Sequence, residues 1–309
     1  MTTSGVGERT LSEALRLLGP LARRDVNLGR LTTYRVGGNS ALFVEAQSEN
    51  DLVNVALARH QTGLPVLVIG KGSNMLVADG GFPGIAVVLG KQFDSSTIDE
   101  ETATVDAGSA VALPSLARRC VSANLSGFEW AVGIPGSVGG AVRMNAGGHG
   151  GDMQASISTV RLFDFDRSVV EVKANGEMGF GYRQSSVTAG QVVLGVTLRL
   201  DYDESGHSAE TLNEIVRWRR ENQPGGQNAG SVFVNPEGET SGELLDRLGV
   251  KGFRIGSAQV SSKHANFIQA DIGGSASDVD AVIRAVAQRV HSETGIELRT
   301  EIQRVGFEA

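Results

Sequence analysis

Apolar residues recur along this chain in two rhythms, one near 3.6 residues and one near 2, and the switches between them outline its elements. Leu11, Leu15 and Leu18 recur at helical spacing, with Ser12 and Glu13 near the start. This predicts a weakly amphipathic helix reaching to about residue 28. Residues 41–46 then read as an apolar strand. Residues 50–61 carry Leu52, Val55, Ala56 and Leu57 in a helical pattern that Gly63 ends. Residues 64–69 (LPVLVI) read as a buried strand. The unit is strand–helix–strand, with a glycine loop at the carboxyl end of its second strand, where α/β sheets bind ligands.

From residue 84 to 202 the period of two dominates. Strands are expected at 85–89, 103–106, 158–165, 169–174 and 192–202, with a hairpin around Asp166-Arg167-Ser168. One helix, 113–124, interrupts them. The polar segment 201–208 (DYDESGHS) is the best linker. Helical patterning then returns. Residues 211–221 carry Leu212, Ile215 and Val216 beside an arginine-rich face, stopped by Pro224, and 242–248 is a short helix. Residues 277–290 form the clearest helix. Ser277 with Asp280 resembles a capping box, Val279, Val282, Ile283, Val286 and Val290 make the stripe, and Gly295 closes it. No internal repeat or low-complexity tract is visible.

Composition narrows the class. The 309 residues include 41 glycines, about twice the usual share. Collagen and disordered linker are both excluded: there is no Gly-X-Y period, prolines number 7, and 40% of residues are hydrophobic. Aromatics are only 5%, so the core is aliphatic. A net charge of −7 without a Lys/Arg run gives no footprint for nucleic acid. Cys120 stands alone, which excludes an internal disulfide or a multi-cysteine metal site and fits a reducing compartment. The first ten residues lack the apolar region of a signal peptide. The longest uncharged apolar-looking stretch, 130–142, is too short and too rich in Gly and Pro to span a bilayer. A soluble cytoplasmic protein is expected, without membrane insertion or a metal site.

Two glycine clusters carry the chemistry. The first, Gly70-Lys71-Gly72-Ser73-Asn74-Met75-Leu76, follows a strand directly. It is neither a Walker A loop nor a Gly-x-Gly-x-x-Gly fingerprint, and the latter occurs nowhere in the chain. Two readings stay open: a tight strand-to-strand turn, or a cradle of backbone N–H groups for a pyrophosphate. The second cluster, 127–151, holds nine glycines in 25 residues and no charge from Ala131 to Val142. So long and apolar a loop buries backbone polar groups unless a ligand or a sheet satisfies them.

The segments GKGSNMLV (70–77) and AVGIPGSVGGAVRMNAGGHGG (131–151) resemble the FAD-binding loops of the UDP-N-acetylenolpyruvoylglucosamine reductase family. TTYRVGG (32–38), GYRQS (181–185), NAGSVFVNP (228–236), GFRIGSAQVSSKHANFIQ (252–269) and LRTEIQRVG (298–306) continue the likeness in order, from about residue 31 to 306. The resemblance implies reduction of the enolpyruvyl ether of UDP-N-acetylglucosamine to the lactyl ether of UDP-N-acetylmuramate. It implies non-covalent FAD as cofactor, NADPH as co-substrate, and a place in bacterial peptidoglycan precursor synthesis, hence in cell-wall biogenesis, cell shape and division. The short spacing after GYRQS resembles the shorter, type II subgroup.

By the same resemblance Ser231 is the proton donor, Arg183 balances the substrate carboxylate, and Glu301 polarises the enolate or positions protons. Gly70, Lys71, Gly72, Ser73, Asn74 and Met75 match the FAD pyrophosphate contacts. Gly133, Ile134, Pro135, Gly136, Ser137, Gly140 and Asn145 match the isoalloxazine and ribityl side. Tyr34 and Arg35 match a cofactor-side motif less specifically. Asn235 and Gln269 are substrate contacts by position. Asn222 and Val234 stand where lysines are common in the family, so Arg219, Arg220 or Lys263 are the cations left to hold the UDP diphosphate. His264 reads as structural, and His149 as lying near the flavin without a catalytic role.

The implied architecture is α+β. A two-lobed, PCMH-like and non-Rossmann FAD-binding domain covers 1–203, with lobes of about 1–70 and 71–203. A smaller α+β substrate-binding domain covers 204–300, and a tail, 301–309, returns to the active site. Two alternatives are weighed against it. A different FAD-linked oxidase would often bond its flavin to His or Cys, and the motifs around Ser231 and Glu301 argue against it. A flavin-binding module without chemistry would not need Arg183, Ser231 and Glu301 together.

Overall fold

The computed structural model describes residues 7–307. The first sheet has four strands in the order Ala22–Asn27, Asn39–Ala46, Phe82–Leu89, Val66–Ile69. The first pair is antiparallel and the others are parallel. Helices Glu8–Leu18 and Glu49–Thr62 bury Leu11, Leu18, Leu52 and Val55 in the same core as Leu42, Val44, Ile85 and Val87. The second helix is bounded as its sequence demands. Ser48 and Asp51 form a reciprocal capping box, and Gly63 closes it in the left-handed conformation.

Three expectations about this region change. The first helix stops at Leu18, because Gly19-Pro20 turns the chain, and Ala22–Asn27 (ARRDVN) is an edge strand. Its polar face, Arg23 to Asp25, is exposed, so no apolar alternation announces it. Phe82–Leu89 lies between Asn39–Ala46 and Val66–Ile69, so the first lobe's sheet runs past a division at residue 70. Val66–Ile69 is an edge strand of which only Ile69 is buried.

The second sheet is fully antiparallel, in the order Val169–Ala174, Ile157–Asp164, Gln191–Arg199, Thr104–Gly108, Ser96–Asp99. Helices Leu113–Ser122, Val138–Met144 and Ser208–Asn222 share its core. The last of these moves the boundary expected at 203/204. Leu212 and Ile215 are buried with Trp130, Val132 and Leu116, so the helix packs with the second lobe. Ser208 adds a 2.6 Å hydrogen bond from its hydroxyl to Glu129.

The remaining unit sets a three-stranded antiparallel sheet, Arg254–Ile255, Ala258–Val260 and Ile268–Ala270, against helices Ser241–Arg247 and Ala276–Thr294. The long helix is capped two residues earlier than Ser277 predicts. Ser275 is its cap, accepting from the Asp278 N–H at 3.1 Å. Ser277 instead donates to Asp79 of the first lobe, whose carboxylate also accepts the Ala276 and Ser277 N–H groups. Finally Gln303–Val305 returns to pair in parallel with Met75–Val77, immediately after the first glycine loop.

Candidate active site

The two glycine loops face each other across one cavity of about 360 Å³. The first loop is shaped by backbone alone. Gly72 has φ +61°, and a side chain there would collide with the Leu31 carbonyl, so only glycine fits. The second loop turns into the Val138–Met144 helix, which Ser137 caps by accepting from the Gly140 N–H at 3.3 Å. Ser137 Oγ also packs directly on Gly70, so the loops touch.

Around this floor the cavity is walled by Val66, Leu67, Val68, Leu113, Ile134 and Ala141. The cations Lys71, Arg143, Arg219 and Arg304 line it too. A wall of aliphatic side chains, a glycine backbone able to approach closely, and several cations make a donor set that fits a flavin with its diphosphate.

At the far side stand three residues from distant parts of the chain. Arg183 Nε and Glu301 Oε1 are 3.0 Å apart, both mostly buried. The Nε–H is not aimed at the carboxylate, so this is a charge pair rather than a directed hydrogen bond. Arg183 sits at φ +57° in the turn closed between Gly181 and Gln184, with its guanidinium over the Tyr182 ring. Burial raises the Glu301 carboxyl above the ordinary carboxylate range, and the Arg183 charge offsets only part of this.

Ser231 lines the same cavity, half-buried. The chain after it is clamped from two sides. Asn266 holds the Phe233 N–H and carbonyl through its side chain and the Val232 N–H through its backbone carbonyl. On the other edge the Glu301 N–H donates to the Val232 carbonyl at 2.7 Å. Asn74 of the cofactor loop donates its side-chain N–H to the Glu301 carbonyl at 3.1 Å, and its own carbonyl accepts from Gln303 N–H at 2.9 Å.

A model of the FAD binding domain matches residues 40–173, and one described as UDP-N-acetylenolpyruvoylglucosamine reductase, C-terminal domain, matches 222–305. A UDP-N-acetylenolpyruvoylglucosamine reductase from Heliobacterium modesticaldum is 42% identical over 282 residues, 90% of this chain and 89% of that protein. The protein of the same name from Synechococcus sp. WH7803 is 38% identical over 99% of both chains. The chain belongs to the UDP-N-acetylenolpyruvoylglucosamine reductase family. The crystal structure of the reductase from Thermus caldophilus superposes with a TM-score of 0.80 at 34% identity, covering 92% of this chain and 99% of that one. The fold class is accordingly α+β, an FAD-binding domain joined to a smaller C-terminal domain, and FAD is the cofactor.

Most of the reductase residues expected from sequence reach the cavity: Arg183, Ser231 and Glu301, all of Gly70 to Met75, Gly133 to Ser137, Gly140 and Arg219. Others do not line it. Tyr34 is fully buried in the core shared with Leu76 and Val232, its hydroxyl unpaired and its ionisation pushed up by burial. Arg35 is exposed. Asn145 acts one step away, donating to Asp152 and to the Gly181 carbonyl beside Arg183. Asn235 accepts the Ser241 N–H, and Gln269 donates to the Gly225 carbonyl. Lys263 donates to the Arg220 carbonyl, and both side chains are exposed. His264 packs on Gly242 and Phe267, with burial lowering its proton affinity.

Among cavity residues the sequence reading passed over are Arg143, Gln223, Asn228 and Arg304. Arg143 had a signal, being the charge that ends the uncharged stretch. Arg304 had none beyond its motif. Among the described residues no cluster of His, Cys, Asp and Glu could hold a metal ion, and no helix is long and apolar enough to cross a membrane.

Proposed function

We propose that this protein reduces the enolpyruvyl ether of UDP-N-acetylglucosamine to the lactyl ether of UDP-N-acetylmuramate, with NADPH as reductant, in bacterial peptidoglycan precursor synthesis in the cytoplasm. The observation that carries the reading is the convergence of Arg183, Ser231 and Glu301 on one cavity floored by the two glycine loops. FAD, held by those loops, would supply two-electron hydride chemistry between NADPH and the terminal vinyl carbon of the substrate.

The chain's own residues then handle charge and proton. Adding hydride there leaves negative charge on the neighbouring carbon and its carboxylate. Arg183, fixed by its turn and mostly buried, offsets that charge. Ser231 Oγ–H gives a proton to the carbon; a hydroxyl suffices because the acceptor is a strong base. Glu301, whose carboxyl is raised by burial, holds the Arg183 guanidinium in place and can keep a proton close to the reacting end. Lys71, Arg143 and Arg219 supply charge for the diphosphates, in place of the lysines absent at Asn222 and Val234.

The purified protein should be yellow and should oxidise NADPH slowly until UDP-N-acetylglucosamine enolpyruvate is added. A colourless protein that FAD does not reconstitute would end this reading.

A further inference from the structure

We infer that Trp218, braced by His149, is a stacking platform for the base of a nucleoside diphosphate whose phosphates meet Arg219. The inference rests on the reductase reading only for the names of the candidate nucleotides.

The rotation of the Ser208–Asn222 helix is set by Leu212 and Ile215, which are buried in the second lobe. Arg219 follows Ile215 by four residues, so it shares that inward face and reaches the cavity. Trp218 follows Ile215 by three, which puts it at the flank of the same face; it does not line the cavity itself but lies one ring away, against His149, which packs on the cavity residue Gly133. Trp218 is 45% exposed, whereas the chain's other tryptophan, Trp130, is 4% exposed. Its ring is held edge-on by His149, with centroids 5.0 Å apart at 85°. That geometry fixes the indole while leaving a face for a third ring.

The contact with the cavity is close. A Cβ placed on Gly133, which lines the cavity, would meet Ile215, Arg219 and His149 at 3.2, 3.4 and 3.6 Å. The three side chains therefore converge on one spot of the rim. His149 holds this place with φ +52°, a conformation a non-glycine residue rarely adopts and one that concentrates at ligand sites. Arg219 is aimed by a 2.9 Å bond from its Nε to Gln223, itself a cavity residue. Its partner there is a neutral amide rather than a carboxylate. A stacking ring next to a guanidinium presented to a cavity is the chemistry of a base followed by its phosphates. Both uridine diphosphate, from the substrate, and the adenosine diphosphate portion of NADPH have it.

Calorimetric titration of the FAD-loaded protein with UDP and, separately, with NADP⁺ tests the platform and tells the two sources apart. In Trp218→Ala the dissociation constant of one nucleotide should rise roughly tenfold, and Trp218→Phe should recover most of that. A rise confined to UDP assigns the platform to the substrate; a rise confined to NADP⁺ assigns it to the co-substrate. The visible flavin absorbance reports an intact fold; should Trp218→Ala lose its flavin, a weakened but flavin-loaded His149→Ala carries the comparison. Unchanged constants for both nucleotides in flavin-loaded Trp218→Ala overturn the platform alone. A wild-type protein that binds neither nucleotide overturns the reductase reading along with it.

Discussion

Asp280 is the carboxylate on which removal should cost most away from the reacting atoms. Its side chain is 2% exposed on the Ala276–Thr294 helix, 2.6 Å from Arg304 and 2.9 Å from Arg284. Arg284 is mostly in solvent, but Arg304 is only 27% exposed and belongs to the returning strand that pairs with Met75–Val77. Asp280→Ala leaves the Arg304 guanidinium half-desolvated without its counter-charge. Removing one partner of a fully buried pair costs about 3–5 kcal/mol. The residual exposure of Arg304 puts this case near the lower end, about 3 kcal/mol. For a chain of this size that lowers the apparent melting midpoint by roughly 5–10 °C. The assay is thermal unfolding with saturating FAD, with Arg247→Ala alongside, because the Arg247–Glu239 pair is exposed and should matter little. Asp280→Leu with Arg304→Met, which removes both charges, should recover most of the loss. The reasoning fails if Asp280→Ala melts with the wild type, or if the double variant melts no higher than Asp280→Ala.

Three further outcomes are expected. Ser231→Ala should leave flavin reduction by NADPH near normal and slow the substrate half-reaction by about 10²–10⁴-fold; in stopped flow, equal losses in both halves would remove Ser231 from its role. Glu301 is raised by burial, so the folded protein keeps a proton that the unfolded chain has released, and stability falls as pH rises from the ordinary glutamate value through the raised one. Glu301→Gln abolishes that slope, so its denaturation midpoint relative to wild type should climb between pH 4.5 and pH 8, and a constant difference refutes the assignment. The Cys120 thiol, fully buried and pushed up to about 12 mainly by burial, should resist thiol reagents in the folded protein and react at once in denaturant.

What the sequence made legible was local. Gly63 ends a helix whose stripe begins at Leu52, and the structure keeps that end in left-handed closure, with the Ser48–Asp51 capping box completing its start. Pro224 likewise follows the end of the Ser208–Asn222 helix. What stayed hidden depended on partners far along the chain. Ala22–Asn27 is a strand because Asn39–Ala46 offers it an edge, which its own ARRDVN does not disclose. Leu212 and Ile215 show a buried face but not which core receives it. Ser277 looked like a cap because Ser, Asp and a hydrophobic stripe follow one another; Ser275 satisfies the same geometry two residues earlier and frees Ser277 for Asp79. The candidate site was legible through ordered motifs. The Arg183–Glu301 pairing was not, since no spacing rule relates residues brought together only by the tertiary fold.

That pairing also explains why the C-terminal strand matters to a site whose cofactor loops lie so far upstream. Glu301 is bound three ways. Its carbonyl accepts from Asn74 in the first glycine loop, its N–H donates to Val232 beside Ser231, and its carboxylate meets Arg183 on the second lobe. Two of these engage the Glu301 main chain, one from the Asn74 side-chain amide and one to the Val232 carbonyl, so the residue is positioned through its backbone, while the side chain alone sets the charge. The first glycine loop, the Ser231 segment and Arg183 are thereby referred to a single residue. A displacement of the tail would disturb all three at once, whereas a change of the Glu301 side chain leaves the scaffold standing and alters only the electrostatics. This separation of position from charge is what lets a buried, partly unpaired carboxyl persist at the centre of the site.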